Sequence, residues 1–265
     1  MNGSNKNESS FQRIYQKIES LDWRIYLGSF LLIFLLLNLS IVGIESGIMQ
    51  VVLAVGTTVL ADVLLKLVIH KKFIFPKSAI ISGLFIGGIL LGGSPWYHVV
   101  FAGIIAMILK NIFKIKGKHV FNPAASGIIA AVLFVQGAPV WWLSSQLYLT
   151  LLFGLFLLVI MKNWQIQVTY IISYGLILTM YALITGQEIL TTLSLINFFF
   201  CAFMLIEPMT AAKYPKGRVA YSVICAGMSF VFFLYAPVYG ELGALLVTDL
   251  FVPYLDNWGK PVEMM

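Results

Sequence analysis

Ile25-Tyr26-Leu27-Gly28-Ser29-Phe30-Leu31-Leu32-Ile33-Phe34-Leu35-Leu36-Leu37-Asn38-Leu39-Ser40-Ile41-Val42-Gly43-Ile44 runs for 20 residues without a charged side chain. As a helix it would be about 30 Å long, the thickness of the hydrocarbon core of a bilayer. Nine more apolar segments follow with little between them: 47–69, 78–91, 96–113, 122–137, 140–160, 166–184, 190–206, 219–236 and 240–256. Six or seven of the resulting ten are long enough for a comfortable crossing, and the others are short.

Composition points the same way. The chain has 265 residues, of which 60% are hydrophobic and 11% charged, where a soluble domain carries about 25% charged residues. That much apolar surface cannot be hidden in a water-facing globule, which excludes a soluble enzyme, a disordered chain and a secreted disulfide scaffold. The apolar runs are continuous rather than alternating, which excludes a porin-like barrel. The fold class expected is therefore all-α membrane, with about ten transmembrane helices, some of them short or broken.

The net charge of +6 reports topology rather than nucleic acid, because the cations fall in short segments between apolar spans. With the N-terminus in the cytoplasm, Lys6, Arg13, Lys17 and Arg24 lie inside. So do Lys71, Lys72 and Lys77, then Lys110, Lys114, Lys116 and Lys118, then Lys162, then Lys213, Lys216 and Arg218, and finally Lys260. Only Lys66 is left over, one turn from the inner end of its span. The connections around Glu45, Ser94, Ala138, Glu188 and Pro237 contain no Lys or Arg. This split places both termini in the cytoplasm of a multi-pass protein of the cell membrane. Residues 1–24 read as a cytoplasmic tail, with a surface helix suggested by Phe11, Tyr15 and Ile18, and 257–265 as a second tail.

Ten spans divide into two sets of five, 25–137 and 140–256. Five is odd, so the halves would be inverted relative to each other. The short spans fall third and fifth in each half, and each third span ends at a proline: Gly92-Gly93-Ser94-Pro95, then Glu207-Pro208. Matched short, Gly/Pro-interrupted segments point to a site at the repeat interface. Short helices crossing a locally thin bilayer are the alternative.

Four polar features stand out. Lys118-His119-Val120-Phe121-Asn122-Pro123-Ala124-Ala125-Ser126-Gly127 opens the fifth span, with Asn122 suited to the N-cap and Pro123 to the first turn. The small residues after them let a backbone or a flat ligand approach, and an Asn amide can pair with an amide-like ring edge such as a flavin's. An ordinary cap at a tight helix crossing fits equally well. Glu207-Pro208-Met209-Thr210-Ala211-Ala212-Lys213-Tyr214-Pro215-Lys216-Gly217-Arg218 reads either as a helix stop with a solvated basic loop or as a carboxylate and basic rim at the mouth of a site. Asp62 and Lys66, spaced i,i+4, form an intramembrane pair, and Asp249 lies deep in the last span. Cys201 and Cys225 read as small buried hydrophobes, since two thiols alone cannot complete a cluster, although one shared with another subunit stays open. His70, His98 and His119 lie at membrane edges and give no heme-like pair. No P-loop, dinucleotide fingerprint, HExxH or serine elbow occurs, so no catalytic residue or metal site is assigned.

Taken in order, these pieces resemble one family. It comprises the B subunit of the sodium-pumping NADH:quinone reductase and the D subunit of the Rnf electron-transport complex. The resemblance rests on Ser82-Gly83-Leu84, Gly92-Gly93-Ser94-Pro95-Trp96, Phe121-Asn122-Pro123-Ala124, Phe203-Met204-Leu205-Ile206-Glu207-Pro208-Met209-Thr210 and Pro215-Lys216-Gly217-Arg218. It covers roughly residues 60–256, and Glu-Pro-Met-Thr stands where the family usually has Asp-Pro-Val-Thr.

The resemblance implies a ten-helix inverted-repeat fold, similar to ammonium and urea transporters, that binds flavin. It marks His119, Asn122, Pro123, Glu207 and Thr210 as the flavin-binding set, with riboflavin or FMN held non-covalently. It also implies other subunits of a membrane redox complex as partners. The family's covalent FMN hangs on a threonine in a Ser-Gly-Ala-Thr-like motif. Here the corresponding connection is Gly137-Ala138-Pro139-Val140 and the motif is absent, so covalent FMN is not expected. Either one non-covalent flavin suffices, or electrons pass to a separate flavinylated extracytoplasmic protein, or electron transfer has been abandoned. The first expectation is an electron-transfer component resembling the Rnf member of this family, with ion translocation a family-level implication. The alternatives are a small-solute transporter or channel on the same repeat, or a scaffold subunit.

Overall fold

The computed structural model describes residues 22–115 and 117–261. Residues 1–21, on which the expected surface helix falls, Lys116 and the last four residues lie outside the described residues. The first half holds α1 (Trp23–Val42), α2 (Ile44–His70), α3 (Lys77–Ile89), α4 (Trp96–Ile112), a two-stranded hairpin β1 (Lys114–Ile115) and β2 (Lys118–His119), and α5 (Pro123–Val135). The second holds α6 (Leu147–Met161), α7 (Trp164–Thr185), α8 (Ile189–Leu193), a π turn at Phe200–Met204, α9 (Pro215–Tyr235), α10 (Gly240–Asp249) and α11 (Val252–Trp258).

Each expected span meets helix, with three adjustments. Four helices, α1, α2, α7 and α9, are long and apolar enough to cross a membrane, against the six or seven read from the sequence. The span at 140–160 becomes helical only at Leu147, because Trp141 adopts a left-handed backbone and a 3-10 turn intervenes at Trp142–Ser144. The span at 190–206 is not one helix: α8 stops at Leu193, and Asn197 restarts the chain by accepting the Phe200 N–H on its side-chain oxygen at 3.0 Å.

The helices are built inside out. The buried face of α2 is Gly47, Gln50, Ala54, Thr58 and Asp62, recurring every three or four residues, so its small and polar stripe faces the protein. Leu36, Val52, Leu155 and Ile184 point outward and are exposed, as side chains facing lipid must be. In the first half α2 packs on α3 and α4, and α4 on α5. In the second half α7 packs on α8 and α9, and α9 on α10, so the pairing pattern recurs. Close approach depends on glycine: a Cβ at Gly127 of α5 would run into the Ala102 carbonyl of α4.

The short helices explain the middle of the molecule. With 13 residues each, α3 and α5 reach about 20 Å, less than the apolar thickness. The remaining length is extended chain, and its backbone groups need partners there. They find each other: Leu91 N–H donates to Ala138 O at 2.8 Å and Val140 N–H to Ile89 O at 2.7 Å. The open carbonyl end of α3 is closed by side chains. Gln50 Nε2 and Trp142 Nε1 both donate to Gly87 O and Leu90 O, at 2.8 to 3.1 Å.

Candidate functional site

Asn122 organises the start of α5. Its side-chain oxygen accepts the Ala125 N–H at 3.1 Å, a standard N-cap bond, and Pro123 occupies the first turn, where a missing N–H goes unnoticed. The rest of Asn122 reaches across to the second half. Its Nδ2 donates to Glu207 Oε2 at 2.8 Å and its backbone N–H to Asp249 Oδ2 at 2.9 Å. Asp249, buried at the end of α10, also accepts the Tyr221 hydroxyl on Oδ1 at 3.1 Å. Glu207, just beyond the π turn, brings Oε1 to 3.5 Å from His119 Nε2 at the end of the hairpin. One cluster thus joins the fifth span to the eighth, ninth and tenth.

Beside this cluster lies a cavity of about 560 Å³, lined among others by His119, Val120, Met209, Thr210, Asp249 and Val252. Pockets for flat organic ligands fall in the range of about 300–1,000 Å³. Two buried polar atoms here have no hydrogen-bond partner, Thr210 Oγ1 and His119 Nε2, in residues only 1% and 7% exposed. Buried polar atoms are nearly always bonded, to protein or to ordered water, so these two have bonding capacity left for a water or a ligand in the cavity.

The five residues expected at a site are therefore brought together, with a division of labour. His119 and Thr210 line the cavity. Asn122 does not, because both ends of its amide are occupied by Ala125 and Glu207. It holds the frame, as do Pro123 and Glu207. Asp249, the deep carboxylate of the last span, belongs to the same cluster. Tyr221 is legible in the sequence only as an aromatic on an apolar helix.

The second buried charge cluster stands apart from this cavity's lining. Asp62 pairs with Lys66 at 2.6 Å, as its spacing suggests, but also with Lys110 at 3.1 Å and with Asn111 Nδ2 at 3.1 Å. The charge pattern puts Lys110 in the cytoplasmic connection, yet it is 6% exposed on α4 and donates to Ser78 Oγ as well. Burial against Asp62 draws it inward from the interface. Cys201 and Cys225 are buried free thiols, and Cys201 Sγ donates to Asn197 O.

No curated protein matches the sequence. Matched over residues 7–146 and again over 133–265, the chain belongs to the NQR2, RnfD, RnfE family, a membrane subunit of Rnf- and Nqr-type complexes.

Proposed function

We propose that this protein is an electron-transfer subunit of such a complex in the plasma membrane. On this reading both termini are cytoplasmic, residues 25–137 and 140–256 are inverted repeats, and a non-covalent flavin occupies the cavity beside Asn122. The observation that carries the proposal is a cavity of flavin-compatible size lined by Thr210, whose buried Oγ1 has no hydrogen-bond partner, and by His119, whose Nε2 makes no hydrogen bond and has only Glu207 at 3.5 Å. The residues present fit such a group. Thr210 can both donate and accept a hydrogen bond, His119 can do either through Nε2, and Val120, Met209 and Val252 supply apolar wall.

A bound flavin supplies the redox chemistry. The chain's own residues bind, orient and manage protons. Glu207 fixes the imidazole of His119 from 3.5 Å and can share a proton carried on Nε2. Asn122 ties Glu207 to the start of α5, and Asp249 ties that start to α10, so the cavity wall is held from both halves. Covalent flavin attachment is not part of the proposal, since residues 136–146 contain no threonine. Electrons leaving the outer face would pass to another subunit or to a separate flavinylated extracytoplasmic protein.

The test is direct. Protein purified from flavin-replete cells should show flavin absorbance that acid precipitation releases into the supernatant. Asn122→Leu should insert in the membrane but lose that absorbance. A colourless wild-type preparation would reject the proposal.

A further inference from the structure

Where α1 and α3 begin, a groove of about 400 Å³ lies between the two helices. Its charged members come first along each helix: Arg24 is the second residue of α1 and Lys77 the first of α3. One and two turns further on the wall is small and apolar, with Gly28 and Leu32 from α1 and Ile80, Ile81 and Leu84 from α3. From Arg24 to Leu32 is about 12 Å of helix, close to half of the ~30 Å hydrocarbon core and so to the depth of one leaflet. Leu32 and Phe75, another wall residue, are 49% and 62% exposed, so the groove is open along its side, where a membrane protein meets lipid. Gly28 leaves it room: a Cβ there would meet only Ile81 Cγ1, at 4.0 Å.

The charge at the head of the groove is not balanced. Among the described residues no carboxylate lines it, and one stands beside it: Asp22 Oδ2 lies 3.3 Å from Lys77 Nζ and 3.9 Å from Arg24 Nη1. A single carboxylate thus serves two cations and leaves one positive charge over. Among the described residues the Arg24 guanidinium has only that long contact and the face of Trp23, 5.5 Å away, so its five N–H donors keep capacity for another anion. Lys71 and Lys72, exposed in the connection that leads into α3, make no ion pair among the described residues. Phe73, Ile74 and Phe75 follow them and are exposed too, the mixture of cations and aromatics that anchors chains at a membrane interface. We propose that this groove binds an anionic phospholipid, with one acyl chain along Gly28 and Leu32 and the phosphate at Arg24 and Lys77. Charge selects this occupant: a zwitterionic lipid brings its own cation beside the phosphate, and an apolar helix offers the surplus cation nothing. Asp22 competes with the phosphate for the same two side chains. The site is independent of the flavin reading above.

The full chain, delipidated in detergent, is titrated with dioleoyl phosphatidylglycerol and with dioleoyl phosphatidylcholine and read by native mass spectrometry. Phosphatidylglycerol should bind about fivefold more tightly, the preference that one surplus cation at a lipid surface supports. The double variant Arg24→Gln, Lys77→Gln should lose that preference. Lys114→Gln with Lys216→Gln, which removes exposed cations outside the groove, should keep it. Asp22→Asn retains a side-chain oxygen for the helix cap and frees both cations, so phosphatidylglycerol should bind several-fold more tightly and phosphatidylcholine no differently. Gly28→Leu fills the groove and should expel the bound lipid while the chain keeps its elution volume in size-exclusion chromatography. Equal retention of the two lipids by the unmodified chain would overturn the proposal, as would retention of neither, the result if residues 1–21 or a partner helix cover the groove. So would a preference that survives Arg24→Gln, Lys77→Gln or Gly28→Leu, or one that Lys114→Gln with Lys216→Gln removes equally.

Discussion

Two of the clusters of buried polar residues in this membrane domain, around Asp62 and around Asn122, are finished to different degrees. Around Asp62 the charges are closed on themselves: Lys66, Lys110 and Asn111 converge on one carboxylate, and the spare reach of Lys110 ends on Ser78. Around Asn122 the framework is equally dense, but Thr210 Oγ1 is left over, His119 Nε2 is held only by Glu207 at 3.5 Å, and both residues face a cavity. The first cluster holds helices together. The second holds them together and still has bonding capacity to offer, which is what a binding site needs. Intramembrane charge marks candidates for function; surplus hydrogen-bonding capacity is what distinguishes the two here.

The sharpest way to break the comparison is Asp62→Ala. It strands Lys110 and Lys66 without their counter-charge, and losing one partner of a buried pair costs about 3–5 kcal/mol. Little folded protein should survive detergent extraction, read by size-exclusion chromatography. A normal yield would mean that the Asp62 cluster is not structural. Gly127→Val should come next. A side chain there meets the Ala102 carbonyl, and overpacking of this kind costs about 1–3 kcal/mol, visible as a lowered thermal midpoint.

A matched pair of isosteric changes then separates the two kinds of polar residue. Thr58→Val removes a hydroxyl that donates toward Ala54 O, Val55 O and Ala79 O and should lower stability by about 1 kcal/mol. Thr210→Val removes a hydroxyl with no partner, so stability should hold while flavin affinity falls several-fold in a fluorescence titration. Equal stability losses would erase the distinction.

The smallest effect belongs to Asp22, outside the spans. Partial burial raises its carboxyl pKa, but the Arg24 N–H and the charges of Arg24 and Lys77 outweigh it and hold the pKa below the usual range. Its contribution is therefore fully present above the unfolded-state pKa of about 3.9 and fades as pH falls through the lower folded value. Asp22→Ala should cost about 0.5–1 kcal/mol at neutral pH as a lost N-cap, and the difference from wild type should close in acid.

The sequence revealed the architecture well because lipid imposes a length on every crossing. The uncharged run 25–44, the loop lysines and the Gly92–Pro95 turn needed no tertiary information to read. The Asn122 cap was legible for a similar reason, since capping is local chemistry. The unread features were long-range. Nothing within the sequence neighbourhood of Lys110 says that Asp62 lies 48 positions away at contact distance. Nothing near Asn122 says that its amide is consumed by Glu207, leaving Thr210 to face the cavity. The interruption at 194–197 was also hidden, because Leu195 and Ile196, with Phe198 and Phe199 after them, keep the segment apolar while Asn197 breaks it.

The seam between Ile89–Leu91 and Ala138–Val140 has a consequence for what can cross this molecule. Main-chain hydrogen bonds from Leu91 to Ala138 and from Val140 and Trp141 to Ile89 stitch the ends of α3 and α5 together. A solute threading between those ends would have to unpick these bonds, and where no water reaches, the freed amides would find nothing in return. The seam therefore works as a latch on that route, and any passage there has to begin with main-chain bonds breaking.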